Sequence, residues 1–434
     1  MTDPGMSVAP YAELTFDADG DVDGGERDRL LGLTAGRTVR DLVVFAHGWN
    51  NDRSTATALY RRFFTPFPAL APAARIGYVG VVWPSMRFCD EPVPDFPHSP
   101  AAGPAAPGTL DPGTRAALAA AFPGRATVLD DIAGLLESGP RTARELEGFG
   151  TLVRQLVAPA GAAAPEESAA DTADDGVPGM FSRPAAEVCG EFAEALAGLG
   201  STDGAEGFAL PDLRAGALEL LRQATYWEMK RRAGTVGERG LGPLVGRLAS
   251  AAPDVRVHLV GHSFGGRLVS FALRGLPAGV RAVRSVTLLQ GAFSHYAFAS
   301  GLPGDAGAGG VLRGREQRVG GPLVCCFSRY DAALGTFYPL ASRAADDDRS
   351  LAGVDVGRLL GPRWGAMGHD GVQGVPGVHA CTLAGALAAP LPESGWVNVD
   401  AAAVVRRGGP PSGAHSDIVH PELARLVLAA GRIR

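Results

Sequence analysis

Cysteine is scarce in this chain: five in 434 residues, Cys89, Cys189, Cys325, Cys326 and Cys381. Their odd number and the lack of paired spacing argue against a disulfide framework or a zinc clip, so they are expected as reduced residues of the core. Adjacent Cys325 and Cys326 would face opposite sides of a strand. Long apolar runs are missing as well, since no segment approaches the roughly 18 uninterrupted apolar residues that a membrane span requires. The opening Met1-Thr-Asp-Pro-Gly-Met6 has no basic region followed by an apolar one, which makes a cytoplasmic protein the expectation. Positive charge is in short supply: 40 Lys and Arg stand against 46 Asp and Glu, a net charge of -6. That balance offers no field for nucleic acid or anionic lipid. None of the nine histidines is paired with cysteines or carboxylates at ligand spacing, so a metal site is not expected. No internal repeat is visible.

What is present is a soluble, globular composition, 46% hydrophobic and 20% charged, in a chain long enough for a large core. One stretch organises the rest. From Val255 to Phe271 the chain reads VRVHLVGHSFGGRLVSF: an aliphatic run suited to a strand buried on both faces, then Gly261, Ser263, Gly265 and Gly266, then apolar residues at helical spacing. In a chain with 60 glycines, Gly-x-Ser-x-Gly alone carries little weight. Between a strand and a helix it is a nucleophile elbow, in which small residues on either side of a serine let the two elements approach closely.

The flanking chain alternates in the same way. Tyr11 to Phe16 reads as an edge strand or a loose terminus. Asp41 to Ala46 is a buried strand delivering His47-Gly-Trp-Asn-Asn51, followed by a helix capped at Asp52 or Ser54, and Ile76 to Trp83 is the next strand. Strand, helix, strand implies a right-handed parallel crossover and a parallel sheet covered on both faces. From Pro84 to Pro253 the strand signal fades. Helical patterns occupy Ala117 to Leu136, Ala143 to Val157, Ala185 to Leu199 and Asp212 to Ala233, with Gly234 as a C-cap, and a further helix covers Val236 to Ala251. The acidic, Ala- and Pro-rich piece from Pro159 to Gly179 reads as a mobile loop. Strands return at Ala282 to Gln290, Pro322 to Ser328 and Gly395 to Val399, and a helix covers Pro421 to Ala430. The segment Asp346 to Leu391 is a glycine-rich excursion of unassigned shape. The expected division is therefore 1-90 and 235-434 as two parts of one α/β core, with 91-234 as a mainly helical insertion.

A serine hydroxyl is a poor nucleophile at neutral pH. It needs an imidazole to take its proton and a carboxylate to orient that imidazole. At the carboxyl edge of this sheet the acid candidate is Asp331, three residues past Ser328, with Asp400 as a minor alternative and Asp305 as the nearest carboxylate after the preceding strand. The same Asp331 suits a helix cap before Ala332 to Leu340. For the base, His415 is favoured over His420, which Pro421 would place at a helix N-cap where the dipole disfavours an imidazolium. The oxyanion donors expected are the backbone N-H groups of Phe264 and Trp49. His47 is read as structural, and Asn50 and Asn51 as making local turn bonds. Pocket walls are expected from the insertion, from Phe293 to Phe298 and from the glycine-rich excursion, with Trp49, Phe264, Phe293 and Tyr296 hinting at an apolar acyl or aryl group.

His47-Gly48 after one strand, Trp83-Pro84-Ser85 after the next, Gly261-His-Ser-Phe-Gly265, Asp331 and His415 come in an order that resembles the alpha/beta-hydrolase superfamily, in particular its bacterial esterase and lipase-like branches. The resemblance covers roughly residues 38-90 and 235-434. It departs from the family in placing its long block before the elbow strand, where the family often carries a lid after the sixth. It implies a serine hydrolase with Ser263, Asp331 and His415 as catalytic residues, cleaving a small-molecule ester, less readily a thioester or amide, without metal or cofactor. An acyltransferase with the same triad and a non-catalytic binding protein on the same fold are the alternatives.

Overall fold

The computed structural model describes residues 5-36, 38-86, 88, 110-158, 170-173, 179-200, 212-334, 365-408 and 413-434. Eight strands form one sheet: β1 (Tyr11–Thr15), β2 (Asp41–Ala46), β3 (Ile76–Val82), β4 (Arg256–His262), β5 (Val283–Leu289), β6 (Pro322–Phe327), β7 (His379–Thr382) and β8 (Gly395–Asp400). Their order across the sheet is β1-β3-β2-β4-β5-β6-β8-β7, and every neighbouring pair runs parallel. This is an α/β protein, as the alternation of strand and helix signals requires.

The interior strands bury both faces, which is why they read as unbroken apolar runs. Leu42 and Val44 of β2 join Val257 and Leu259 of β4 in the core under one layer of helices, while Val43 and Phe45 join Val260 in the core under the other. The first layer includes Gly24–Ala35 and Phe264–Gly275, and the second is built by Arg53–Phe64 and Pro421–Gly431. From β2 the chain steps to β3 on one side, then crosses to β4 on the other. The order reverses there, and in such sheets the crevice outside the carboxyl ends of the two strands is where ligands bind. The sequence puts His47 to Asn51 after β2 and Ser263 after β4 at that point.

Between β3 and β4 stand the helices Pro112–Ala121, Ala126–Ser138, Ala143–Val157, Ala185–Gly200 and Leu213–Thr235. Gly234 is not a C-cap. The helix runs on through a π-type turn, Val236–Leu241, into Gly242–Ala251 without a break. The glycines here serve close approach instead: a Cβ on Gly237 would stand 2.2 Å from the Leu268 carbonyl oxygen of the facing helix. The reading of Pro159 to Gly179 as a mobile loop also needs correction where the chain is described. Residues 159-169 and 174-178 lie outside the described part, but Asp171 is fully buried. The Tyr11 segment is the parallel edge strand β1. β7 had no sequence signal, because its four residues are mostly exposed and carry no apolar run. Most of the expected helix Ala332 to Leu340 lies outside the described residues. Among those described, no helix is long and apolar enough to cross a membrane.

Candidate functional site

At the end of β4 the backbone turns through Ser263 at φ 55°, ψ -123°, a conformation that non-glycine residues rarely adopt, and the helix Phe264–Gly275 starts at once. The turn is possible because the residues two before and two after the serine have no side chains. A Cβ on Gly261 would meet the Gly265 carbonyl oxygen at 2.3 Å, and one on Gly265 would meet that of Ala46 at 2.0 Å. The serine carbonyl accepts the N-H groups of Gly266 and Ala292 at 3.0 and 3.2 Å, and its own N-H donates to Leu289. Over-determined in this way, the strained residue stays put and presents its hydroxyl at the sheet edge.

Three side chains from three loops meet there. His415 Nε2 lies 2.9 Å from Ser263 Oγ, and His415 Nδ1 lies 2.8 Å from Asp331 Oδ2. A carboxylate only accepts, so Nδ1 carries the proton and Nε2 is left to accept from the serine hydroxyl. Access is graded along the row: the His415 side chain is 15% exposed, Ser263 5% and Asp331 0%. Asp331 also serves as the cap that its position suggested, since its Oδ1 accepts the Leu334 N-H at 3.0 Å. The loop carrying His415 is tied to the loop carrying Asp331 by the Ala414 N-H, which donates to the Tyr330 carbonyl at 2.8 Å.

The alternatives are placed elsewhere. His420 stands at the N-cap of Pro421–Gly431 with Nε2 2.8 Å from Asp417. Asp400 Oδ1 accepts from Ala402, and Asp305 Oδ1 accepts from Gly307 and Ala308 within its own loop. Among the described residues no cluster of three or more His, Cys, Asp or Glu could hold a metal ion.

The loop after β2 lies against the serine. A Cβ on Gly48 would come within 2.6 Å of Ser263 Cβ and 3.2 Å of its Oγ, so only glycine fits there and the peptide leading to Trp49 borders the hydroxyl. The Phe264 N-H is the first of its helix and out of reach of any i-4 carbonyl. His47 is structural in its contacts: its ring stacks on Trp83 at 5.5 Å, its Nδ1 donates to the Gly48 carbonyl, and Trp83 Nε1 donates to the His47 carbonyl. Asn51 makes the local bonds expected of it, to the Gly48 and Trp49 carbonyls. Asn50 reaches beyond its turn, its Oδ1 accepting the Phe88 N-H from 38 residues away, with its own φ at 63°.

The aromatic surroundings are more tightly packed than the expected pocket walls. Trp49 and Phe264 meet Tyr226 of the helix Leu213–Thr235 at 5.3 and 4.8 Å, which brings that helix over the elbow. Phe293 and Phe298 are buried, the latter on Trp396 at 4.7 Å.

Sequence reasoning passed over His262, the variable residue inside the elbow motif. Its Nε2 donates to the His415 carbonyl at 2.9 Å, and its ring stands 5.0 Å from the His415 ring. Burial, then the charge of a protonated His415, drive its pKa down to about 3, and burial takes that of His47 down to about 4. Both are therefore neutral in the fold. Their unfolded value is near 6.5, so below that pH the unfolded chain binds protons that the native state refuses, until about pH 3 for His262 and about pH 4 for His47. Stability should fall with acidification from 6.5 downward and stay flat with respect to these two groups above it. Between pH 7.5 and 5 each group should remove on the order of 2 kcal/mol. The check is the urea midpoint at the two pH values, and an unchanged midpoint contradicts it.

Compared with protein-family models, curated proteins and solved structures, the chain matches none of them. The site must be read from its own geometry.

The same three residue types meet a second time at the other end of the sheet. His258 Nδ1 lies 2.9 Å from Ser285 Oγ, and its Nε2 lies 3.0 Å from Asp41 Oδ1. All three are buried inside β4, β5 and β2, and Asp41 is shared with Arg256. Ser285 sits mid-strand with no elbow, so this row is structural.

Proposed function

We propose that the protein is a serine hydrolase of the alpha/beta-hydrolase type, cleaving a small-molecule ester through an acyl-enzyme on Ser263. The observation that carries this reading is His415, within hydrogen-bond distance of both Ser263 and Asp331, with the serine on a strained strand-to-helix turn.

In the first half-reaction the Ser263 proton passes to His415 Nε2 as Oγ bonds to the ester carbonyl carbon. The oxyanion that forms is met by the N-H groups of Phe264 and Trp49. The carbon-oxygen bond to the leaving alcohol then breaks, and that oxygen takes the proton from His415. A water gives its proton to the same nitrogen as it attacks the acyl-enzyme, and the proton returns to Oγ as the acid departs. Asp331 holds the ring in one tautomer throughout and offsets its charge. No metal or cofactor is invoked. The placement of the helical block between β3 and β4, with Tyr226 beside Trp49, supports a role for residues 91-234 as a cap on this site.

The test is covalent labelling by a fluorophosphonate, with p-nitrophenyl esters of graded chain length as substrates. Labelling and turnover that both vanish in Ser263→Ala support the reading. Absence of labelling in folded wild-type protein overturns it in favour of a binding protein on the same scaffold.

A further inference from the structure

The amino-terminal edge of the same sheet carries a second feature, independent of the chemistry above. β3, β2 and β4 are lateral neighbours, and each starts at an arginine: Arg75 precedes β3, Arg40 precedes β2 and Arg256 opens β4. Their backbones are laced together, the Arg40 N-H donating to the Arg75 carbonyl at 2.9 Å and the Arg256 N-H to the Arg40 carbonyl at 2.8 Å. The chain returns after the helix Pro421–Gly431 to add Arg432 and Arg434. These five arginines and Asp41 line one open cavity of about 410 Å³.

The charge there runs against the rest of the molecule. The whole chain carries -6, yet among the described residues five arginine side chains line this cavity with a single carboxylate side chain. That carboxylate is already engaged, with Arg256 at 2.5 Å and His258 at 3.0 Å. Among the described residues, the ion pair that Arg432 makes is an exposed one of 3.4 Å with Glu393. Arg256 Nε is, among the described residues, a buried donor with no hydrogen-bond partner. Like charges gathered in a concavity repel one another unless an anion joins them, and arginine forks match tetrahedral oxyanions in two-point geometry.

The geometry points to a binding site for a small polyanion bearing phosphate groups, on the opposite end of the sheet from Ser263. The cavity falls in the range of small-ligand sites. It also has more guanidinium groups than a single phosphate can engage, so the expected ligand carries at least two phosphoryl groups. A strand of this length separates the two ends by roughly 20 Å, so this ligand does not enter the reaction at the elbow.

Calorimetric titration with pyrophosphate, in about 0.15 M salt so that unspecific attraction is screened, tests the assignment. Saturable binding at one site per chain is expected, tighter than for inorganic phosphate. The exposed pair Arg40→Glu and Arg434→Glu should weaken it by about tenfold or more while fluorophosphonate labelling of Ser263 is unchanged. Failure of pyrophosphate to saturate, or an affinity equal in wild type and the double variant, overturns the site. Either result leaves the reading of Ser263 untouched.

Discussion

Asp331→Asn should lower kcat for an ester substrate by about four orders of magnitude while leaving the fold intact. The two oxygens of Asp331 do different work, and the substitution separates them. Oδ1 accepts the Leu334 N-H, which the asparagine carbonyl can still do, so the turn at residues 332-334 should survive. Oδ2 faces His415 Nδ1, and there the amide presents a donor. The imidazole must then accept at Nδ1 and carry its proton on Nε2, where it can no longer take the proton of Ser263. Steady-state kinetics beside a thermal melt give the reading: a large fall in kcat with an unshifted melting temperature is expected. A loss smaller than about tenfold would remove Asp331 from the mechanism.

The second large effect concerns stability. Asp171→Ala should destabilise the protein by about 3-5 kcal/mol, seen as a lower urea midpoint. Asp171 is fully buried and holds a cation on each oxygen, one fully buried and one partly exposed. Arg267 Nε donates to Oδ1 at 2.9 Å, and the chain's only lysine, Lys230, sits 2.9 Å from Oδ2, which also accepts the Ser294 N-H. Burial pushes this carboxyl up, but the charges of Lys230 and Arg267 outweigh it and hold the pKa down at about 2. Arg267 is itself fully buried, one turn beyond the elbow, with its other nitrogens bonded to the Lys230 and Ala170 carbonyls and its plane on Phe271. Removing the carboxylate strands the Arg267 guanidinium in the interior and leaves the partly exposed Lys230 without its counter-charge. An unchanged midpoint would mean that the cluster relaxes into solvent at no cost.

That cluster also marks where sequence reading stopped. The central strands are legible because a strand buried on both faces must be apolar throughout, and Asp331 and His415 are legible because each follows such a strand closely or stands before a helix start. The glycines of the elbow announce themselves through their spacing around a serine. Asp171 sits in a run of alanines and acids whose local composition says solvated loop, and nothing within ten residues names Arg267, 96 positions away, as its partner. Gly234 looks like a stop signal, yet glycine also appears where two helices touch, as Gly237 does, and only the facing helix distinguishes the cases. His262 was hidden by the motif itself, whose pattern leaves that position free. What local periodicity encodes was recovered, whereas the long-range polar contacts were not.

Ser285, His258 and Asp41 show what separates an alignment of side chains from a candidate catalytic site. A geometric template built on these three residue types would fire twice on this one sheet, at similar distances. Only one of the two copies lies where a strand has ended and a helix begins, within reach of water; its twin, buried in the first residues of β2, β4 and β5, serves the hydrogen bonding of the interior.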